Sequence, residues 1–292
     1  MLRIFQLSGV KLFTFIIISS ILYIFNNSMS YESINYISIL SILFFGIIHG
    51  ANDIHLILKS KSKSSGYIKT TFYYVLVILA ATMAFYSFPA ISLLFFVLFS
   101  CYHFGEQQWT IINKIFNKKI YFFIYGSFVF SLLFYFNIEN VIEIISKISN
   151  LELLNEHFEY LFYFSSILLS ITTIIYYNSL KDQLIYQVIL LVLMVLSFAY
   201  FDLINAFAFY FVLYHSIPSI FEQTEFLYGE ISLKSIIKYF KSAFLYWLFA
   251  ILGLVIYYYL NQANELSLNL FFSFLAAITF PHVIVILKMK KN

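Results

Sequence analysis

Histidines in apolar surroundings are the residues of this chain whose type and position point to chemistry. The sequence has six histidines, and four of them, His49, His103, His215 and His282, fall within long apolar stretches. Imidazole is a ligand for zinc, copper, iron and nickel. Because an ionisable side chain in such a stretch is costly, it is a candidate functional residue. We therefore predict that these four histidines bind a metal ion.

Two carboxylates lie well inside the same apolar stretches. Asp53 follows His49 by four residues, and Glu106 follows His103 by three; in a helix, these spacings place each acid on the face of its histidine. Metal-bound imidazoles usually donate their second N–H to a carboxylate or a carbonyl. We predict that Asp53 and Glu106 are catalytic residues that orient His49 and His103 and offset the charge of the ion.

Composition decides what kind of protein must position these residues. Of 292 residues, 62% are hydrophobic, 22% are aromatic and only 11% are charged, whereas a soluble domain carries about 25% charged residues. A net charge of +3 without a basic face excludes nucleic acid as a partner, and one cysteine excludes a disulfide framework. The prediction is an all-α polytopic transmembrane bundle in the cell (inner) membrane, with residues 1–292 forming one integral-membrane domain.

A spanning helix needs about 20 apolar residues, and the sequence offers about ten such segments. They are 10–26, 36–58, 70–88, 90–112, 120–137, 158–177, 183–201, 203–221, 242–260 and 267–287. The tight junctions at 88–90 and 201–203 predict two helical hairpins. With both termini cytoplasmic, all basic residues except Lys147 fall on the cytoplasmic side, as the positive-inside rule requires. The acidic, amphipathic segment 138–157 is predicted to lie along the membrane surface.

The four histidines occupy predicted helices that all run in the same direction. They are six to eleven residues from the next charge on the cytoplasmic side, which at 1.5 Å per residue is roughly 9–17 Å. Four rings from four helices can therefore meet at one depth.

Several kinds of metal chemistry fit these residues, and so do functions that need no metal ion. Four histidines around zinc would make a closed structural site, whereas six-coordinate iron(II) would keep two positions for dioxygen and an oxidisable substrate. Aromatic residues near the histidines, such as Phe104 and Phe211, favour a lipid-soluble, conjugated substrate. A transporter or proton relay, or a structural membrane subunit with hydrogen-bonding histidines, is the alternative.

Four segments resemble the signatures of the Brp/Blh family of bacterial and archaeal membrane β-carotene 15,15′-dioxygenases. They are Gly46-Ile-Ile-His49-Gly50-Ala-Asn-Asp53, Tyr102-His103-Phe-Gly105-Glu106, Tyr214-His215-Ser216 and Phe280-Pro281-His282. The resemblance extends in order from residue 46 to 285. It implies Fe²⁺- and O2-dependent cleavage of the central double bond of β-carotene to two all-trans-retinal molecules, which serve a rhodopsin. Another carotenoid-modifying enzyme, such as a cyclase or hydroxylase, is an alternative.

The resemblance also bears on the ligand set. His49, His103 and His215 match family histidines thought to bind iron. The family often has another histidine one turn after the third, where this chain has Ser219. We therefore assign the fourth ligand to His282; three histidines with water, or with a group near Ser219, is the alternative.

Overall fold

The computed structural model describes residues 30–60, 66–109, 117–260 and 268–289. Within these ranges the chain forms helices and connecting turns, and no strand. Eight of these helices are long and apolar enough to cross a membrane, which confirms the predicted polytopic helical bundle. The predicted span 10–26 lies outside the described residues. The cytoplasmic placement of both termini, and the single domain over 1–292, stay predictions.

Twelve α-helices are numbered in chain order, and two π-helical segments, Ile42–Gly46 and Phe209–Ser216, interrupt them. The helices are α1 (Tyr31–Ser41), α2 (Asp53–Ser60), α3 (Tyr67–Ser87), α4 (Pro89–Gln108), α5 (Lys118–Phe136), α6 (Ile138–Ser149), α7 (Asn155–Ile175), α8 (Tyr177–Tyr200), α9 (Leu203–Ala208), α10 (Ile217–Tyr228), α11 (Leu233–Leu260) and α12 (Leu268–Met289).

Both predicted tight hairpins are present. Phe88 alone separates α3 from α4, and Pro89 begins α4, where its missing N–H costs no helical hydrogen bond. Residues 201–202 separate α8 from α9.

The predicted second span, 36–58, is not one continuous helix. After α1 the backbone widens into the π-helical segment Ile42–Gly46 and then tightens through residues 47–53. There the N–H groups of Gly50, Ala51 and Asp53 bond to carbonyls three residues back instead of four. His49 therefore lies in a turn, and Asp53 begins the separate helix α2.

The helical run Leu203–Tyr228 occupies the centre of the bundle. It combines α9, the segment Phe209–Ser216 and α10 without a break. Every side chain from 203 to 216 is buried, as expected for a helix that is apolar all round. Its polar Asn205 donates to Oδ1 of Asn35 (2.9 Å) and accepts from the hydroxyl of Ser38 (2.6 Å), which ties it to α1.

The acidic segment after α5 forms the amphipathic helix α6. Val141 and Ser149 are buried, whereas Glu143 and Lys147 are exposed and paired with each other. Its apolar residues pack on the main core, so the apolar face of α6 is buried against the bundle. Its position on a membrane surface stays a prediction.

Helices α4 and α5 approach each other closely through two glycines. A Cβ atom at Gly105 would overlap the carbonyl of Phe122, and one at Gly126 would overlap the carbonyl of Cys101. Small residues allow such close helix packing inside membranes. Because Gly105 lies between His103 and Glu106, this contact also sets the position of the α4 histidine.

Alanine at Gly105 or Gly126 is expected to destabilise the protein by about 1–3 kcal/mol, because either backbone would have to move to relieve the overlap. The measurement is the unfolding midpoint in detergent. Gly253→Ala is the matched control, since a Cβ there meets no atom within 4 Å. Equal midpoints for all three variants would contradict the close contact.

Candidate metal centre

The structure brings the four predicted histidines together in one buried cluster. The ring centroid of His49 lies 4.9 Å from that of His215 and 4.7 Å from that of His282; the corresponding distances from His103 are 4.8 and 5.5 Å. Each ring thus has two histidine neighbours. All four residues are at most 4% exposed.

A network of hydrogen bonds holds the turn that carries His49. The hydroxyl of Tyr239 lies 2.8 Å from Oε1 of Gln223 and 3.1 Å from the carbonyl oxygen of His49, so its proton can be donated to either. Asn52 donates to the main-chain oxygen of Tyr239 (3.0 Å) and accepts from Ser242 (2.8 Å). These contacts fasten the turn to α10 and α11.

His215 lies in the π-helical segment of the central run. Its ring packs against those of Phe104 and Phe211, with centroids 4.1 and 5.6 Å away. The hydroxyl of Ser216 donates to the carbonyl of Phe211 (2.9 Å), five residues back, and Gln107 donates to the carbonyl of His215 (3.0 Å). Side chains thus satisfy carbonyls in an irregular stretch of helix, a feature that often accompanies functional sites.

Asp53 pairs with His282 and not with His49. Its Oδ1 lies 2.8 Å from Nδ1 of His282, and its Oδ2 accepts the hydroxyl proton of Tyr74 at 2.7 Å. The predicted pairing with His49 is wrong because the four-residue spacing selects one face only in a continuous helix, and the turn at 49–52 intervenes. A carboxylate accepts the Nδ1–H of His282, which leaves Nε2 of that ring as its free ligand atom.

Glu106 follows His103 on the continuous helix α4, as predicted. It is partly buried, and its Oε1 accepts a weak hydrogen bond from Tyr102 at 3.4 Å. Its role beside His103 stays a prediction.

The remaining candidates have other partners than the four histidine rings. Ser219 is buried one turn after His215, and its hydroxyl accepts a hydrogen bond from Gln223 (2.9 Å). His157 is exposed at the start of α7, where Nδ1 accepts the N–H of Leu154. His55 is half-buried, with the ring of Tyr246 as a neighbour 5.9 Å away.

The chemistry of the cluster fits a metal ion. Ligand nitrogens of His49, His215 and His282 all lie within 4.8 Å of one another; His103 is not in this group, although its ring packs against those of His215 and His282. Around one divalent ion, with nitrogen–metal distances of about 2.0–2.1 Å, they would be about 3–4 Å apart. Both ring nitrogens of His49, and Nε2 of His282, are buried without a hydrogen bond in the described part of the chain. Buried polar atoms of this kind need a partner.

A cavity of about 450 Å³ reaches the cluster from one side. His49, His282, Asp53 and Tyr74 line its polar end, and Phe211 lies beside them. The rest of the lining comes mainly from apolar side chains of α3, α11 and α12. Its volume and its few convergent polar groups are typical of a small-molecule site.

The sequence profile of the β-carotene 15,15′-dioxygenase family matches residues 40–290. The chain belongs to this family. The match includes all four histidines, Asp53 and Glu106, and it supports a carotenoid 15,15′-dioxygenase type of function. No curated protein and no solved structure matches the chain.

Three residues that support the centre, Tyr74, Tyr239 and Gln223, could not be identified from the sequence. Tyr74 belongs to an ordinary apolar span, and Tyr239 and Gln223 lie outside the motifs around the histidines. Tyrosine is abundant here, with 25 residues, so its presence in a span predicts nothing. Only the contact with Asp53 distinguishes Tyr74 from the others.

Replacing Tyr239 with Phe is expected to destabilise the protein by about 1–3 kcal/mol, because buried acceptors on His49 and Gln223 lose their donor. Tyr121→Phe is the control: that buried hydroxyl makes one contact of 3.4 Å, with Thr173. The unfolding midpoint in detergent measures both effects. A Tyr239→Phe midpoint no lower than that of Tyr121→Phe would mean that the network does not hold the turn.

Proposed function

We propose that this protein is an iron(II)-dependent dioxygenase of the cell's inner membrane that cleaves the central 15,15′ double bond of β-carotene. The observation that carries the proposal is the buried cluster of four histidine rings beside an apolar cavity. Family membership supports the reaction type. The retinal formed would be available to a retinal-binding rhodopsin.

His49, His103, His215 and His282 are the proposed ligands. These imidazoles would hold iron(II), which when bound would supply the activation of dioxygen that the reaction needs. In the overall reaction the central C=C bond breaks and each of its carbons gains one oxygen atom from O2. Two aldehydes result, and no external reductant is consumed.

Asp53 and Tyr74 are proposed as positioning residues for His282. The carboxylate holds Nδ1–H, so that Nε2 presents its lone pair, and the Tyr74 hydroxyl fixes the second carboxylate oxygen. Such partners orient a metal-bound histidine and raise its basicity. The apolar cavity wall, with Phe211 nearest the histidines, excludes water and suits a polyene that has no polar groups.

The proton-relay alternative is less well supported by the arrangement. A relay needs ionisable groups spread along the membrane normal, whereas neighbouring histidine rings here are 4.7–5.5 Å apart in one cluster. Another carotenoid-modifying reaction would use the same apolar cavity and is distinguished by its product. The decisive assay is expression in a β-carotene-accumulating host. Bleaching with retinal as the product supports the proposal, and cells that stay orange contradict it.

Alanine at any one of His49, His103, His215 or His282 is expected to abolish both iron binding and retinal formation while the protein remains in the membrane. Wild type should contain about one iron per chain by elemental analysis. His157→Ala is expected to match wild type, and His55→Ala to cost little, because neither ring belongs to the cluster. Full iron content and turnover in His282→Ala would reduce the site to three histidines.

Asp53→Asn, Glu106→Gln and Tyr74→Phe are expected to lower activity or iron affinity, with about 10–100-fold losses for the two acids and a smaller one for Tyr74→Phe. The reason is that the two acids act on the ligands, and Tyr74 acts on Asp53, so that none of the three binds the ion. Iron affinity and steady-state retinal formation measure the effects. A loss as complete as that of a histidine variant would assign the acid to direct ligation.

A further inference from the structure

The cavity beside the histidines opens between α3 and α11. Val75 and Phe249, which line it, are 45% and 59% exposed, and Gly253 is also an exposed lining residue. Apolar side chains of this kind in the middle of spanning helices face lipid. The opening is therefore on the side of the bundle and not at either end.

The depth of the opening agrees with that interpretation. Val75 and Phe249 are six and eight residues from Lys69 and Lys241, the nearest lysines earlier on their helices. At 1.5 Å per residue these separations are about 9 and 12 Å. Lysines mark the polar boundary of a span, so the opening lies within the hydrocarbon layer, which is about 30 Å thick.

A pair of tyrosines connects α3 and α11 on the side of the opening where Lys69 and Lys241 lie. The hydroxyls of Tyr67 on α3 and Tyr246 on α11 are hydrogen-bonded to each other. The ring of His55 packs beside both, with centroids 6.3 and 5.9 Å away. This bridge ties α3 to α11 on the side of the lysines, whereas the exposed lining residues Val75, Phe249 and Gly253 lie farther along the two helices.

Gly253 borders the open part of the cavity. A Cβ atom there would meet no atom within 4 Å, so a larger side chain would extend into free space and needs no backbone shift. A glycine in a helix interior costs up to about 1 kcal/mol relative to alanine. Because Gly253 lines the cavity, the lack of a side chain at this position keeps that part of the cavity open.

We propose that the gap between α3 and α11 is a lateral entrance through which an apolar polyene passes from the bilayer to the histidines, and that Gly253 sets its width. The inference rests on the proposed function, because it takes the membrane-dissolved carotenoid as the occupant. Val75, Phe249 and Gly253 at the opening are apolar. Beside the histidines, Asp53 and Tyr74 are the polar groups of the cavity, and Thr71, Tyr246 and Thr279 add hydroxyls to an otherwise apolar lining.

The test places a large side chain in the entrance and leaves the residues of the histidine cluster unchanged. Gly253→Trp is expected to lower retinal formation at least tenfold and to reduce the β-carotene bound per protein under anaerobic conditions in nanodiscs, with iron content and unfolding midpoint unchanged. Gly253→Ala, which adds one methyl group, should lower both quantities less than Gly253→Trp does. Leu252→Trp adds the same side chain as Gly253→Trp at a 46% exposed position of α11 that does not line the cavity, and it should behave as wild type.

The outcomes separate this proposal from the proposed function. If wild type binds β-carotene but forms no retinal, the dioxygenase reaction is wrong, and the bound-carotenoid measurement still tests the entrance. If Gly253→Trp binds and cleaves β-carotene as wild type does, the lateral entrance is wrong. Equal losses in Gly253→Trp and Leu252→Trp would also overturn it, because the effect would then belong to the helix surface and not to the cavity.

Discussion

Four imidazole rings are buried among apolar side chains, and the surrounding structure has to provide partners for their nitrogens. A buried ring nitrogen without a partner is costly, and this centre leaves both nitrogens of His49, and Nε2 of His282, without a hydrogen bond in the part of the chain that the structure describes. One ion shared by the rings would satisfy Nε2 of His282 and one of the two nitrogens of His49 together. The pair of Asp53 and His282 then has an electrostatic reason as well, since a carboxylate offsets the positive charge of an ion in an apolar interior.

Irregular backbone supplies the geometry that regular helices would not. His49 lies in a tightened turn after one π-helical segment, and His215 lies within the other. Non-helical backbone at membrane depth persists only where protein groups satisfy its carbonyls and N–H groups. Tyr239, Ser216 and Gln107 have that role here. The site and its support are thus one network of hydrogen bonds, in which the polar residues behind the histidines hold the backbone that presents them.

The bundle is closely packed on one side of the histidines and open on the other. On one side, Gly105 and Gly126 bring α4 and α5 into backbone contact and hold His103 in place. On the other side, α3 and α11 leave a cavity between them, bridged at one end by Tyr67 and Tyr246. Glycine serves close packing in the first region and open space in the second. The proposed site, which would hold an ion and admit a lipid-soluble molecule, needs both.

The sequence by itself determined the membrane bundle, both tight hairpins and the four histidines as a group, because apolar length and the positions of ionisable residues are local properties. It did not determine the partner of Asp53. Helix periodicity assigns Asp53 to the face of His49, but a turn that periodicity does not reveal directs the acid to His282, 229 residues further along. Tyr74, the Tyr239 network and the cavity likewise depend on helices distant in sequence, so only the tertiary structure decided them.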